Sequence, residues 1–392
     1  MSNRNKPIAV GPRRERQQGT VILICVVGMV GLIALAALAT DVGHVWAART
    51  QLQAATDSSA MAGAGDLFDH ANAQLTLPEA TAAAQSYGAQ NQADHKSVQI
   101  VAGDIVFGDW DLATETFTPL SGTPSDPSQV TAVQVLGRLD GTQNGPVPTV
   151  LARVVGRNSF DVTTTAIGYL GFQGTFPPGT VDLPITIDCC AIGGQSCDGN
   201  YCDIVTNTPP NPCLLSDGVT QVSCLEFFST PEQNACWTEF DPQSPSVNSP
   251  GMIDIVNDSN PIEVGTEPVY VDNGTKTPVV EIISQKFYGT EEYYGNPSGT
   301  DTDGDGVSDS WVVGLPVIAC QNPGPHCAAG DPQEIVGGVC FDINEVLVTP
   351  EKLIKGRFLC PGDSRYSTDC GLGSGPGGGD FGVRAQRPVL VD

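Results

Sequence analysis

Basic residues are scarce in this chain of 392 residues: 18 Lys and Arg stand against 44 Asp and Glu, a formal net charge of -26. What basic charge there is gathers at the start. The first 19 residues hold five basic groups (Arg4, Lys6, Arg13, Arg14, Arg16) and one acid, Glu15, leaving 13 basic and 43 acidic residues, a net of -30, for the rest. Nucleic-acid binders need basic patches to displace phosphate counterions, so an acidic body excludes that class. Such a body stays soluble and gathers divalent cations. Histidine is rare too: His44 and His70 fall in a helical stretch, His95 just after it, and His326 between Cys320 and Cys327. HExxH, GxSxG and GxxxxGKS/T are all missing. Metalloprotease, α/β-hydrolase and P-loop chemistry therefore lack their residues. Carboxylates abound, but no pair stands out as acid and base, and an acidic surface accounts for them. The chain reads as non-enzymatic, with no small-molecule substrate.

Paired CxxC spacing is missing as well, although there are 13 cysteines. Cys25 lies in an apolar run; the other twelve fall between Cys189 and Cys370. Zinc sites usually show tighter pairs with histidine. An even set at scattered spacings predicts a disulfide framework and an oxidising compartment, with connectivity left open.

Charge is absent from Thr20 to Thr40. As a helix these residues rise about 31 Å, against a hydrocarbon core of about 30 Å. The basic cluster precedes the run and Asp41 follows it, so the positive-inside rule predicts a cytoplasmic N-terminus with everything after Asp41 outside. A cleaved signal peptide is the competing reading, with small-residue sites at Ala34-Leu35-Ala36 and Ala37-Leu38-Ala39. Prepilin-type processing after Gly19 is a third, which puts Ile24 fifth where pilins usually carry Glu.

Past the apolar run, Val45, Ala48, Leu52, Ala55, Ser59 and Ala62 recur at intervals of three and four, one helical stripe of mostly small residues. Two uses fit it: close contact with another helix, or packing on the chain's own outer domain. The stretch from Arg13 to Ala64 resembles the N-terminal segment of TadG-like proteins of the tight-adherence (Tad, or Flp) pilus systems. The shared features are the basic run, Gly19, the apolar span, Asp41-Val42-Gly43, and Leu52-Gln53-Ala54-Ala55-Thr56-Asp57 leading into Ala60-Met61-Ala62-Gly63-Ala64. Thr56, Ser58 and Ser59 stand where alanine is commoner. Gly108-Asp109-Trp110-Asp111 with Phe117, the strand around Ala132-Val133-Gln134-Val135, and Leu151-Ala152-Arg153-Val154-Val155-Gly156 extend the resemblance to about residue 172. It implies a single-span inner-membrane protein whose partners are pilus or Tad secretion machinery proteins. Some TadG-like proteins carry a von Willebrand A-type domain with a DxSxS metal motif; none is present here, since Asp57-Ser58-Ser59 has the wrong spacing.

The expected architecture is α+β: a cytoplasmic basic segment (1–19), a transmembrane helix (20–40), a helical stalk (41–92), a β-rich TadG-like periplasmic domain (93–175) and a Cys-rich, mostly β or irregular C-terminal domain (176–392). Within the stalk a break is expected near Pro78, with Glu79 in the first turn of a second helix running to about Gln92. Valine-, isoleucine- and threonine-rich runs predict strands at 97–111, 129–140 and 159–170. In the last half, 268–289 reads as strand, Asp272-Asn273-Gly274 turn and strand. Residues 339–360 read as sheet, with Cys340 and Cys360 placed to staple it, and the glycine-rich 371–382 as a flexible loop.

The sharpest motif is DTDGDGVSD. Asp301, Asp303 and Asp305 alternate, Gly306 turns the loop, Val307 offers a backbone carbonyl and Asp309 a further oxygen. Such spacing suits Ca2+, which takes six to eight oxygen ligands. Position 12 is Val312 rather than Glu, so the EF-hand pattern is incomplete. A structural Ca2+ site is predicted. The function expected is anchoring or scaffolding of pilus assembly, with a secreted, adhesin-like Ca2+-binding module as the alternative.

Overall fold

The computed structural model describes residues 18–69, 74–121, 129–193, 211–228, 233–293, 297–319, 327, 330–360, 363, 366, 370 and 374–391. The basic residues at the start, His70 and His326 lie outside them.

One helix, α1 (Gln18–Gly65), carries the apolar run and the small-residue stripe without a break. It is long and apolar enough to cross a membrane by length and composition. Its first part stands clear of the fold, with Val21 to Leu38 mostly exposed. Its second part does not form a free stalk. Ala48, Leu52, Ala55, Ser59 and Ala60 are buried, under a second helix and a five-stranded antiparallel sheet. That helix, α2 (Leu77–Gln90), starts at Pro78 with Glu79 in its first turn, as expected, and buries Ala80, Ala84 and Gly88. The expected break is there, and the helix turns back along α1.

The sheet contains β1 (Ile105–Asp111), β2 (Thr116–Pro119), β3 (Ala132–Leu139) and β4 (Val162–Tyr169). β1, β3 and β4 fall in runs where alternation predicts a strand, whereas β2 lies between two of those runs. Val133, Val135, Gly137 and Leu139 of β3 face inward beside Val162, Thr164, Ala166 and Gly168 of β4. Small residues on both surfaces bring helix and sheet close. A Cβ on Gly168 would sit 2.2 Å from the Ala60 carbonyl oxygen, and one on Gly137 2.2 Å from Thr56 Oγ1. Thr56 Oγ1 lies 2.7 Å from Thr164 Oγ1 in the buried contact, which gives a polar residue its partner there.

After a short strand, β5 (Phe172–Thr175), the chain builds a larger, nine-stranded sheet. Its strands are β6 (Ile185–Asp188), β7 (Pro212–Leu214), β8 (Gln221–Leu225), β9 (Ala235–Thr238), β10 (Val269–Asp272), β11 (Trp311–Ile318), β12 (Asp331–Gln333), β13 (Ile335–Leu347) and β14 (Leu353–Leu359). The spatial order is β7-β8-β14-β13-β11-β6-β9-β10-β12. All neighbours are antiparallel except β6 and β11. Two helices, α3 (Ser249–Asp258) and α4 (Thr277–Tyr288), pack on it through Met252, Val256, Val279, Val280, Ile283 and Phe287. Antiparallel sheets with helices on a face agree with the α+β expectation.

Three expectations need correction. Residues 268–289 form β10 and then helix α4, not a hairpin. Pro278 opens the helix, Gly289 (φ 64°) closes it, and the apolar residues fall on one face to meet the core, so burial overrides β-branched content. Cys340 bonds Cys370, not Cys360. The glycine-rich tail is not a free loop. Its strand Gly375–Gly378 pairs with Phe172–Thr175, and Phe381, Val383 and Ala385 behind it are buried.

The tail then returns to the first domain. Val389–Val391 adds to the free edge of β4. Just before it, the buried guanidinium of Arg384 donates to the carbonyls of Val130 (3.0 Å) and Leu170 (3.2 Å). Phe68 and Phe172 flank it, with ring centroids 5.0 and 4.9 Å away. Two further disulfides, Cys213–Cys224 and Cys236–Cys327, tie the larger sheet. Cys189, Cys190 and Cys360 are also disulfide-bonded, and Cys25 is free. The predicted framework is present; Cys197, Cys202 and Cys320 lie outside the described residues.

Candidate functional site

Two places combine unusual geometry with sequence motifs. The first is where the exposed apolar helix enters the folded domain. Asp41, the first charged residue after the run, is only 4% exposed. Its Oδ1 accepts the backbone N–H of Val150 at 2.7 Å, and its Oδ2 that of Ala152 at 2.5 Å. Leu151 N lies 3.2 Å from Oδ1 and 3.1 Å from Oδ2. These amides open a short 3-10 turn, Ala152–Val155, closed by left-handed Gly156. Partial burial pushes the Asp41 carboxyl pKa up, but the hydrogen bonds from Val150, Ala152 and Leu151, helped by His44, outweigh it and hold the group below its ordinary value. One turn on, His44 Nε2 meets Asp94 Oδ1 at 2.9 Å, and Gln51 Oε1 accepts the Asp94 N–H at 3.0 Å. The α1 helix is thus clamped at its point of entry by groups more than forty residues away in sequence. The sequence marks Asp41 and Leu151–Gly156 separately, and nothing in it joins them.

Residues 19–66 match the family model described as "Putative Flp pilus-assembly TadE/G-like", and residues 62–167 match "Putative Tad-like Flp pilus-assembly". The stretch from residue 19 to 167 is thus similar to Tad-type pilus-assembly proteins, its first part to the TadE/G-like ones. The two matches meet inside α1 and together contain the clamp: Asp41 lies in one and the Val150–Ala152 amides in the other. The matched residues take in β1, β2, β3 and most of β4 and stop before the larger, disulfide-bonded sheet. No curated protein and no solved structure matches the chain.

The second place is the aspartate loop that leads into β11. Thr300 and Ser310 close its base as an isolated bridge. Asp301 accepts the N–H of Gly304 (2.6 Å) and Gly306 (2.7 Å), and both glycines have positive φ, 84° and 90°, which suits glycine. The N–H groups of Gly306 and Gly304 lower the Asp301 pKa. Carboxylate oxygens of Asp301, Asp303 and Asp309 lie within 4.8 Å of one another. Asp305 is outside that group; its Oδ1 accepts the Val307 N–H at 2.8 Å. Val307 is 52% exposed. The structure therefore gathers three of the five predicted ligand residues. Three converging carboxylates on a glycine-turned loop are the donor chemistry of a hard cation. Sequence reading missed the support beneath. Asn344 Nδ2 donates to the Asp309 carbonyl at 2.9 Å, and Ser310 Oγ to buried Asp342 Oδ1 at 2.7 Å. Both partners sit on β13.

Proposed function

We propose that this chain is a membrane-anchored envelope protein that scaffolds Flp/Tad pilus assembly through protein contacts, without enzymatic activity. Thr20–Thr40 spans the inner membrane once, with the N-terminus in the cytoplasm and everything from Asp41 in the periplasm. The basic residues before the run and the disulfides after it support that orientation. The observation that carries the reading is the clamp on Asp41. An unbroken helix pinned at the end of its apolar run fixes the outer domain relative to the bilayer, as a scaffold requires. The partners are pilus or Tad secretion machinery proteins. Asp301, Asp303 and Asp309 hold a structural Ca2+, with Asp305 and Val307 joining only if the loop rearranges on binding.

Deletion of the gene, complemented by the full chain, tests the role: pilus loss restored by the chain supports it, and normal pili after deletion overturn it. Reading the mature N-terminus of the fractionated protein tests the anchor. A chain that starts after Ala36 or Ala39 and leaves the membrane would instead be the secreted, adhesin-like Ca2+-binding module.

A further inference from the structure

The clamp holds more than a helix. It brings the Val150–Phe160 segment to the level of Asp41, one residue beyond the apolar run. That segment shows Val150, Leu151 and Phe160 to solvent at 44%, 38% and 39% exposure. Between it and α1 lies a groove of about 710 Å³, lined on the helix side by Val30, Ile33, Leu38 and Trp46, with Arg49 at one end. Residues at bilayer depth and residues of the folded domain thus share one apolar surface. Trp46, 69% exposed, lies about 9 Å of helix rise beyond Thr40, the depth of a headgroup layer where tryptophan concentrates. Charge agrees. Arg49, Arg153 and Arg157 are three of only 13 basic residues in a body of net charge -30, so basic charge gathers where lipid phosphates would lie. The Arg153 Nε donates to the Val150 carbonyl at 2.7 Å, which keeps that side chain on the same turn.

We propose that Val150–Phe160 is a second membrane-contacting element. It beds in the outer interface of the bilayer beside the span, with phospholipid acyl chains filling the groove and lipid phosphates meeting Arg49, Arg153 and Arg157. Long basic side chains with apolar stems suit that boundary. The inference rests on α1 spanning the membrane, and it adds that the outer domain is seated on the bilayer rather than held above it.

The full chain, reconstituted in phosphatidylethanolamine and phosphatidylglycerol vesicles with or without acyl-chain-brominated lipid, tests this by tryptophan fluorescence. Trp110, Trp237 and Trp311 are buried, at 6%, 1% and 7% exposure, so a Trp46→Phe background is quiet toward lipid. In that background Phe160→Trp should lose emission to the brominated lipid and shift to shorter wavelength. Tyr87→Trp, exposed on α2 next to Gly88, which packs at Ser59 about 28 Å of helix rise from Thr40, should do neither. An unquenched Phe160→Trp in protein that resists carbonate extraction overturns the seating and leaves the anchor standing. Protein released by carbonate overturns the anchor, and the seating with it.

Discussion

The Asp41 carboxylate accepts the backbone N–H of Ala152 at 2.5 Å across 111 residues of sequence. This contact converts two separate features of the family-matched segment, an acid at the end of an apolar helix and a short turn late in the domain, into one joint. The joint needs an ionised, two-oxygen acceptor, because both oxygens are used.

Asp41→Asn should therefore open the turn while leaving the rest of the first sheet intact. Hydrogen exchange at the Val150, Leu151 and Ala152 amides should accelerate, with little change in β3. The pH dependence has a fixed sign. A carboxyl held below its ordinary value of 3.8 contributes stability that is fully present above that value and lost as pH falls through the lower, folded value. Protection of these amides should be flat from pH 7 to 5 and decline only below about pH 4. A loss between pH 5 and 7 would mean that a group other than the Asp41 carboxylate holds the turn.

The contact between helix and sheet depends on missing side chains. Gly168→Ala places a methyl 2.2 Å from the Ala60 carbonyl oxygen, a backbone atom that cannot swing aside. It should lower stability by about 1 to 3 kcal/mol, the usual cost of overpacking. Gly141→Ala, with nothing within 4 Å, is the matched control and should be near neutral. Thermal melts of the detergent-solubilised chain compare them. Equal melting temperatures would show that α1 does not seat on β4 as described.

Much of this arrangement was legible before the structure. Strands β1, β3 and β4 follow from alternating Val, Ile and Thr, and Pro78 with Glu79 marks the start of α2, because local chemistry decides both. What escaped depends on distance or on backbone. Asp41 binds amides, which carry no residue identity, so no motif points at them. Helix α4 is rich in Val and Ile, and only its end signals, Pro278 and Gly289, contradict a strand; burial of Val279, Val280, Ile283 and Phe287 settles the matter. The glycine-rich tail reads as flexible because its use is steric: a Cβ on Gly174 would meet the backbone of Gly377 and Gly378 at 2.4 to 2.5 Å. The three converging aspartates were visible in spacing, whereas Asn344 and Asp342 beneath them come from another strand.

Arg384 ties the C-terminal tail to the first domain through hydrogen bonds to the Val130 and Leu170 carbonyls, between the rings of Phe68 and Phe172. Replacing it by Met keeps the length and removes both donations, to Val130 and Leu170. Buried carbonyls left without partners cost about 1 to 3 kcal/mol each. Arg384→Met should lower the urea midpoint and expose the Val389–Val391 strand to proteolysis. A variant with an unchanged midpoint and a protected tail would show that β-pairing alone seats it.

The disulfides should differ in effect by the chain they enclose. Cys236–Cys327 spans a separation of 91 residues and Cys213–Cys224 only 11. In the chain-entropy account, removing the first as a Cys→Ala pair costs about 4.5 kcal/mol and the second about 3 kcal/mol. Denaturant unfolding of the two double variants should rank them in that order. The reverse order would locate the stabilisation in native-state packing around the Cys213–Cys224 hairpin.

The aspartate loop makes the most specific solution prediction. If Asp301, Asp303 and Asp309 form the site, Asp301→Ala with Asp303→Ala abolishes the calorimetric Ca2+ signal, whereas Asp305→Ala weakens it only slightly, since Asp305 already accepts the Val307 amide. A weak site of about 1 mM dissociation constant would stabilise the fold by about 1.4 kcal/mol in about 10 mM Ca2+. That gain should vanish on chelation and in the double variant. The lowered Asp301 pKa keeps that carboxylate charged in mild acid, so binding should persist from pH 7 to about pH 5. An unchanged calorimetric trace in the double variant would place Ca2+ elsewhere, and the loop would then be an acidic turn held by its own Asp-to-backbone hydrogen bonds.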